Sequence, residues 1–213
     1  LLAPLRPALC PRERALARRP IEVAPPDLPE GTLLLSGYAE TSSLGVRSAA
    51  ERWAVVSTGE DRLAFRSKRR IRRRADQPPV DLELKQDLEQ GQLVHFEVHL
   101  RTAVHHLEVK GQWTANQMRV ERRADGAFID LQSTIERIAA VDVGCAGTMV
   151  LLAHTREGGR RFPMLRFHEG LELDVVHWSL VVDEAGGHLF STPDGPKAAR
   201  FAPHGGLLAS REQ

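Results

Sequence analysis

Short runs of apolar or alternating residues follow one another along the chain from residue 32 onward. Turn-forming pairs such as Asp125-Gly126 and Asp194-Gly195 separate them, and glycine tolerates the positive φ that tight hairpin turns need. Regular short strands joined in this way are typical of an antiparallel sheet, sandwich or partial barrel. The runs predicted as strands are Leu33–Tyr38, Trp53–Ser57, Leu63–Ser67, Val80–Leu88, Leu93–Arg101, Val104–Trp113, Gln117–Arg122, Ala127–Gln132, Thr148–His154, Phe162–His168, Val175–Val182 and Gly187–Ser191.

The pattern predicts a mainly β fold: a highly curved antiparallel sheet or incomplete β-barrel with one or two short helices. Ser133-Thr134-Ile135-Glu136 fits a capping box, which predicts a helix over Arg137–Val141, and Ser48–Trp53 could form a helical turn or two. Residues 1–31 hold many of the prolines, and proline removes backbone donors and fixes φ. We therefore interpret 1–31 as a Pro/Arg-rich arm or linker and 32–213 as a single antiparallel β domain.

Alternation with a period of two is clearest at residues 93–101, where apolar side chains face one way and polar side chains the other. A turn at 102–103 would join this strand to residues 104–113. His99 would then face His106, and the apolar residues of the two strands would also match.

The polar face of this hairpin gathers two imidazoles and two carboxylates. Imidazole and carboxylate together suit zinc, iron or copper, so a metal-dependent enzyme is one hypothesis, although no catalytic residue is assigned. A solvated outer face is the alternative. The candidate metal ligands are His99, His106, Glu97 and Glu108. A divalent metal is the sole cofactor considered.

Six cations stand among the seven residues Lys68–Arg74. Their positive field could receive a phosphate backbone, an acidic headgroup or another anion, with Arg70, Arg72 and Arg73 as the contacting residues. Nucleic-acid binding usually adds exposed aromatic side chains for stacking, so a small ligand is favoured over nucleic acid. A solvated strand end is the alternative interpretation.

Trp53, Trp113 and Trp178 all lie on predicted strands. Packing in the core is one role for them. The alternative is that they line an apolar pocket, which would hold a hydrophobic ligand.

The succession Glu51–Val55, Leu63–Ser67 and Val120–Gly126 resembles the layout of bacterial envelope proteins built on a highly curved antiparallel sheet. Lipoprotein-carrier-like β-clams and glycolipid-binding proteins of unassigned function are of this type. The resemblance implies a concave apolar surface for acyl chains and transfers no functional residue.

The formal net charge is +1, which argues against binding nucleic acid by bulk attraction. No apolar run approaches the roughly 20 residues of a transmembrane helix. Cys10 and Cys145 are too few to define a disulfide framework, and their pairing stays open. We therefore favour a non-enzymatic binding protein for a lipid or other apolar ligand with an anionic group. The localisation stays open between a bacterial envelope or periplasm and the cytoplasm. The oligomeric state is not predicted.

Overall fold

In the computed structural model, the described residues are 20–43, 46–72, 78–155, 161–167, 173–182, 188–193, 195–201 and 207–212. They form one α-helix, α1 (Ala146–Thr155), and a series of strands. The first eight strands are β1 (Thr32–Ser43), β2 (Val46–Gly59), β3 (Arg62–Ile71), β4 (Val80–Glu89), β5 (Gln92–Arg101), β6 (His106–Thr114), β7 (Gln117–Ala124) and β8 (Ala127–Thr134). The others are β9 (Ala140–Asp142), β10 (Arg161–Phe167), β11 (Leu173–Val182), β12 (His188–Thr192), β13 (Gly195–Phe201) and β14 (Leu207–Glu212).

The strands form two sheets. Strands β1 to β8 pair antiparallel in chain order, and β1 and β8 are the edges of this open sheet as far as the described residues go. The smaller sheet has the order β14-β13-β12-β11-β10-β9, and its β9–β10 pair is parallel because α1 connects the two strands as a crossover. The mainly β prediction, with an open sheet and a short helix, is therefore confirmed.

One hydrophobic core joins both sheets and the helix. Alternation sends Trp53, Phe65 and Phe96 to one face of the eight-stranded sheet, which we call the inner face. Phe96 meets Phe167 of β10 edge to face, with 6.2 Å between ring centroids. Gln86, fully buried on the same face, accepts a hydrogen bond from the backbone N–H of Val141 in β9 at 2.6 Å. The inner face is thus covered by the small sheet and by α1.

Glycines allow the closest approaches in this core. Trp53 lies opposite Gly37 on β1, and a Cβ at Gly37 would come 2.3 Å from the Trp53 ring. On its other side, a Cβ at Gly147 of α1 would come 2.6 Å from the same side chain. The indole therefore fills the gap between sheet and helix because both neighbours lack a side chain.

The predicted positions of the helices are wrong. Residues 137–141 do not form a helix: the Ile138 carbonyl accepts a hydrogen bond from Leu93 N–H, and Ala139 N–H donates to the Pro163 carbonyl. Ser48–Trp53 belongs to β2. Thr148–His154, predicted as a strand, lies in α1 instead. Most of that helix is buried, so its sequence lacks the polar face that would mark a helix.

The predicted register of the β5–β6 hairpin is wrong by two residues. The connection is the four residues 102–105, in which the Thr102 hydroxyl accepts hydrogen bonds from two backbone N–H groups of the loop. His99 pairs with Glu108, and Phe96 pairs with Gly111. A shift of two keeps every side chain on its predicted face. It also places the large ring of Phe96 opposite the one residue of β6 that has no side chain.

We expect Gly111→Ala to destabilise the fold by about 1–3 kcal/mol, the usual effect of overpacking a filled core. The new Cβ would stand 1.9 Å from Cε1 of Phe96, which is fully buried and cannot move aside. Urea unfolding measures the change. Gly59→Ala is the matched control, since a Cβ there meets nothing closer than 3.7 Å. Equal midpoints for the two variants would contradict the packing described here.

Candidate functional site

Most of the polar side chains of β3 to β6 lie on the outer face of the eight-stranded sheet, opposite α1. On β3 this alternation divides the basic run. Arg69 pairs with Glu51 and shares the inner face, where its guanidinium donates to the Gly144 carbonyl. Lys68 and Arg70 therefore lie on the outer face. The part of the run that lies on β3 is therefore divided between the two faces.

A cleft of about 220 Å³ opens on the outer face. Residues 20–31 belong to no strand or helix, and this segment forms one side of the cleft. We call it the N-terminal segment. The lining residues are Val23, Ala24, Lys68, Arg69, Arg70, Asp81, Leu82, Glu83, His99 and Arg101.

Three contacts hold the N-terminal segment. Lys68 Nζ forms an ion pair with Asp27 Oδ2 at 2.9 Å, and this hydrogen bond lowers the pKa of Asp27. The Arg70 guanidinium donates a long hydrogen bond of 3.4 Å to the Glu22 carbonyl. Ile21 is 3% exposed and anchors the start of the segment.

Arg70 and Arg101 stand on either side of Asp81 in this cleft. Arg70 binds both carboxylate oxygens of Asp81, at 2.6 and 3.1 Å, so that carboxylate is already neutralised. Arg101 pairs with Asp81 across the β4–β5 ladder, and His99 pairs with Glu83. Among the described residues, Arg101 has no carboxylate partner. The Arg101 guanidinium is therefore available to donate hydrogen bonds to a ligand in the cleft.

The structure brings the four predicted metal ligands near one another without forming a metal centre. His99 Nδ1 is 3.4 Å from His106 Nε2 and 3.8 Å from Glu108, and His99 Nε2 is 3.5 Å from Glu97. Lysines already pair with both carboxylates: Lys110 lies 2.8 Å from Glu108 and lowers its pKa, and Lys85 lies 3.3 Å from Glu97. No set of three or more His, Cys, Asp or Glu side chains within the described ranges could hold a metal ion. The metal hypothesis stays a prediction.

The other predicted ligand-binding residues lie apart from the cleft lining. Trp53 and Trp178 are 1% and 3% exposed in the core, and Trp113 is half-buried beneath Arg137, whose Cζ is 4.1 Å from the ring centroid. Arg72 is half-buried, and its backbone N–H donates to the Ser48 carbonyl. Arg73 and Cys10 lie outside the described residues. Of the predicted anion contacts, Arg70 is the one that lines the cleft.

A buried cluster on the inner face was not predicted. Glu51 is 2% exposed, and its carboxylate accepts hydrogen bonds from Ser67 Oγ at 2.8 Å and from the backbone N–H groups of Ala146 and Gly147 at 2.7 and 3.2 Å. These two residues begin α1, so Glu51 satisfies donors that a helix N-terminus leaves unpaired. Burial raises the pKa of Glu51 more than these bonds and Arg69 lower it. The sequence signal that could have identified this cluster is Glu51 itself, a lone acidic residue among the apolar residues of one face of β2.

Cys145, next to this cluster, carries a free, buried thiol. Its Sγ is 3.9 Å from Ser67 Oγ. Burial raises the pKa of the thiol well above its ordinary value, and the neighbouring Glu51 adds to the effect. A thiol held in its protonated form is a poor nucleophile.

No protein-family model, curated protein or solved structure matches this chain. The resemblance to envelope proteins of the lipoprotein-carrier type therefore stays a prediction. The helix in the described residues is too short to cross a membrane.

We expect the stability advantage of the wild type over Glu51→Gln to shrink as the pH rises above about 4.5. The pKa of Glu51 is raised in the folded state, so its contribution is complete below the ordinary value of 4.5 and is lost as the pH passes the folded value. Urea unfolding of both proteins between pH 4.5 and 8 gives the difference. Glu60→Gln, at an exposed turn, should show no such trend. A Glu51→Gln difference that is constant with pH would contradict this assignment.

Proposed function

We propose that the protein is a non-enzymatic binding protein whose cleft takes one small anionic group, a carboxylate or a phosphate. The observation that carries this proposal is the guanidinium of Arg101, which lines the cleft without a carboxylate partner among the described residues. A planar guanidinium with several fixed N–H donors matches the geometry of carboxylate and phosphate oxygens.

The charge of the lining supports a ligand with a single anionic group. The lining holds Lys68, Arg69, Arg70 and Arg101 with Asp81 and Glu83, which leaves two net positive charges with His99 uncharged. One of the four cations is Arg69, whose guanidinium already donates to the Gly144 carbonyl on the inner face. Arg70 already neutralises Asp81. Arg101 and Lys68 are then the two cations that a bound anion would contact, and Glu83 would disfavour a second negative charge nearby.

The size of the cleft supports a small ligand. Its volume of about 220 Å³ is below the roughly 300–1,000 Å³ of sites for drug-sized molecules. A headgroup or a free small anion fits this space, and a long acyl chain does not. His99 is the one aromatic side chain in the lining, so the stacking platform of a single-strand nucleic-acid site is not present there.

The apolar-ligand hypothesis places its ligand between the sheet and α1. In the described residues that space is filled by Trp53, Phe65 and the buried side of the helix, with Gly147 in direct contact with both rings. An acyl chain could enter there only by displacing α1 and the hydrogen bonds that join it to Glu51. The hypothesis stays a prediction and receives no support from this packing.

We expect Arg101→Gln to weaken binding of inorganic phosphate about tenfold, because hydrogen bonds to a charged group contribute about 1.5–3 kcal/mol. A two-dimensional NMR titration at pH 7 measures the affinity and maps the amides that respond. The matched control is Arg119→Gln. Arg119 is an exposed arginine of β7 outside the cleft, so this variant should bind phosphate as the wild type does.

The titration has two results that would overturn the proposal. In the first, phosphate shifts no amide of β3, β4 or β5 in the wild type. In the second, Arg101→Gln and Arg119→Gln lose affinity equally, which would indicate attraction to the overall charge rather than a site. A weaker affinity at higher salt is expected in either case and does not discriminate.

A further inference from the structure

The N-terminal segment is held weakly over the cleft. It adds no strand to the sheet, and its described polar contacts with β3 are the Asp27–Lys68 ion pair and the long bond from Arg70 to the Glu22 carbonyl. The side chain of Asp27 is 86% exposed, and exposed ion pairs of this kind contribute little stability. Ile21 is buried at one end of the segment, and β1 begins at Thr32 at the other, so the weak polar contacts lie between two fixed points.

The Asp27 carboxylate contacts Lys68, which is one of the two cations that a bound anion would contact. Lys68 Nζ is 2.9 Å from the Asp27 carboxylate, and the Lys68 side chain is 25% exposed. An external anion cannot take the same ammonium donors at full strength while Asp27 holds them. Val23 and Ala24 of the same segment form part of the cleft wall, so movement of the segment also changes the space available.

We propose that the N-terminal segment is an internal competitor for the anion cleft: the Asp27 carboxylate occupies Lys68 until a ligand displaces it. This inference rests on the proposed function and adds a regulatory element to the same site. A ligand binds only by replacing the Asp27–Lys68 contact, and anything that holds the segment away from β3 raises the affinity of the cleft. The segment therefore raises the ligand concentration needed for half-saturation.

The test compares phosphate binding by Asp27→Asn, Glu30→Gln and the wild type in the full chain. Asp27→Asn should bind phosphate about two- to fivefold more tightly, the range that the loss of one exposed ion pair allows. Glu30→Gln removes the same charge from the same exposed segment without touching the partner of Lys68, so it should leave the affinity unchanged. The heteronuclear NOE of the Asp27, Leu28 and Glu30 amides should fall when phosphate is added to the wild type.

The outcomes separate the two proposals. If Asp27→Asn and the wild type bind phosphate equally, or if Glu30→Gln gains as much affinity as Asp27→Asn, competition is overturned while the cleft remains a binding site. An unchanged heteronuclear NOE at Asp27, Leu28 and Glu30 at saturating phosphate also overturns it. If neither the wild type nor Asp27→Asn binds phosphate, the proposed function fails and the competition fails with it.

Discussion

The hydrogen bonds between the Glu51 carboxylate and the start of α1 join the helix to the eight-stranded sheet. The first N–H groups of a helix need acceptors, and at a buried end water cannot supply them. Glu51 supplies both oxygens from β2, and Ser67 on β3 orients the carboxylate. A buried carboxylate is unfavourable by itself, and the positive end of the helix dipole offsets part of that penalty. Because α1 connects β9 to β10, this contact also positions the small sheet.

The packing of α1 against β2 also depends on residues without side chains. Trp53 reaches the helix because Gly147 and Gly37 leave room on both sides of its ring. The same arrangement recurs at Phe96 and Gly111 in the neighbouring part of the sheet. Large rings opposite glycines bring the layers close together at these two places.

Much of the fold was predictable from the alternation, and the errors have physical causes. The alternation in β5 assigned each side chain to the correct face. The register of the β5–β6 pair depended instead on the length of the loop 102–105. The hydrogen bonds to the Thr102 hydroxyl that form this loop have no clear signal in the sequence. The helix α1 was missed because its buried, mostly apolar sequence has no polar face. The basic run was predicted to form a local positive field, and period-two geometry places Arg69 of β3 on the opposite face from Lys68 and Arg70. The cleft itself depends on the path of residues 20–31, which local patterns do not encode.

The sequence separation of the Glu51 contact has a kinetic consequence. Ala146 lies 95 residues after Glu51, whereas the strands of the large sheet each pair with the next one along the chain. Hairpins between neighbours close quickly, and distant contacts must first overcome the entropy of a long loop. We expect the meander to assemble before the crossover docks, which leaves Glu51 and the Trp53 face exposed to solvent in the interval. A chain that stalls at that stage exposes a broad hydrophobic surface. Aggregation of this intermediate is therefore the main folding risk of this topology.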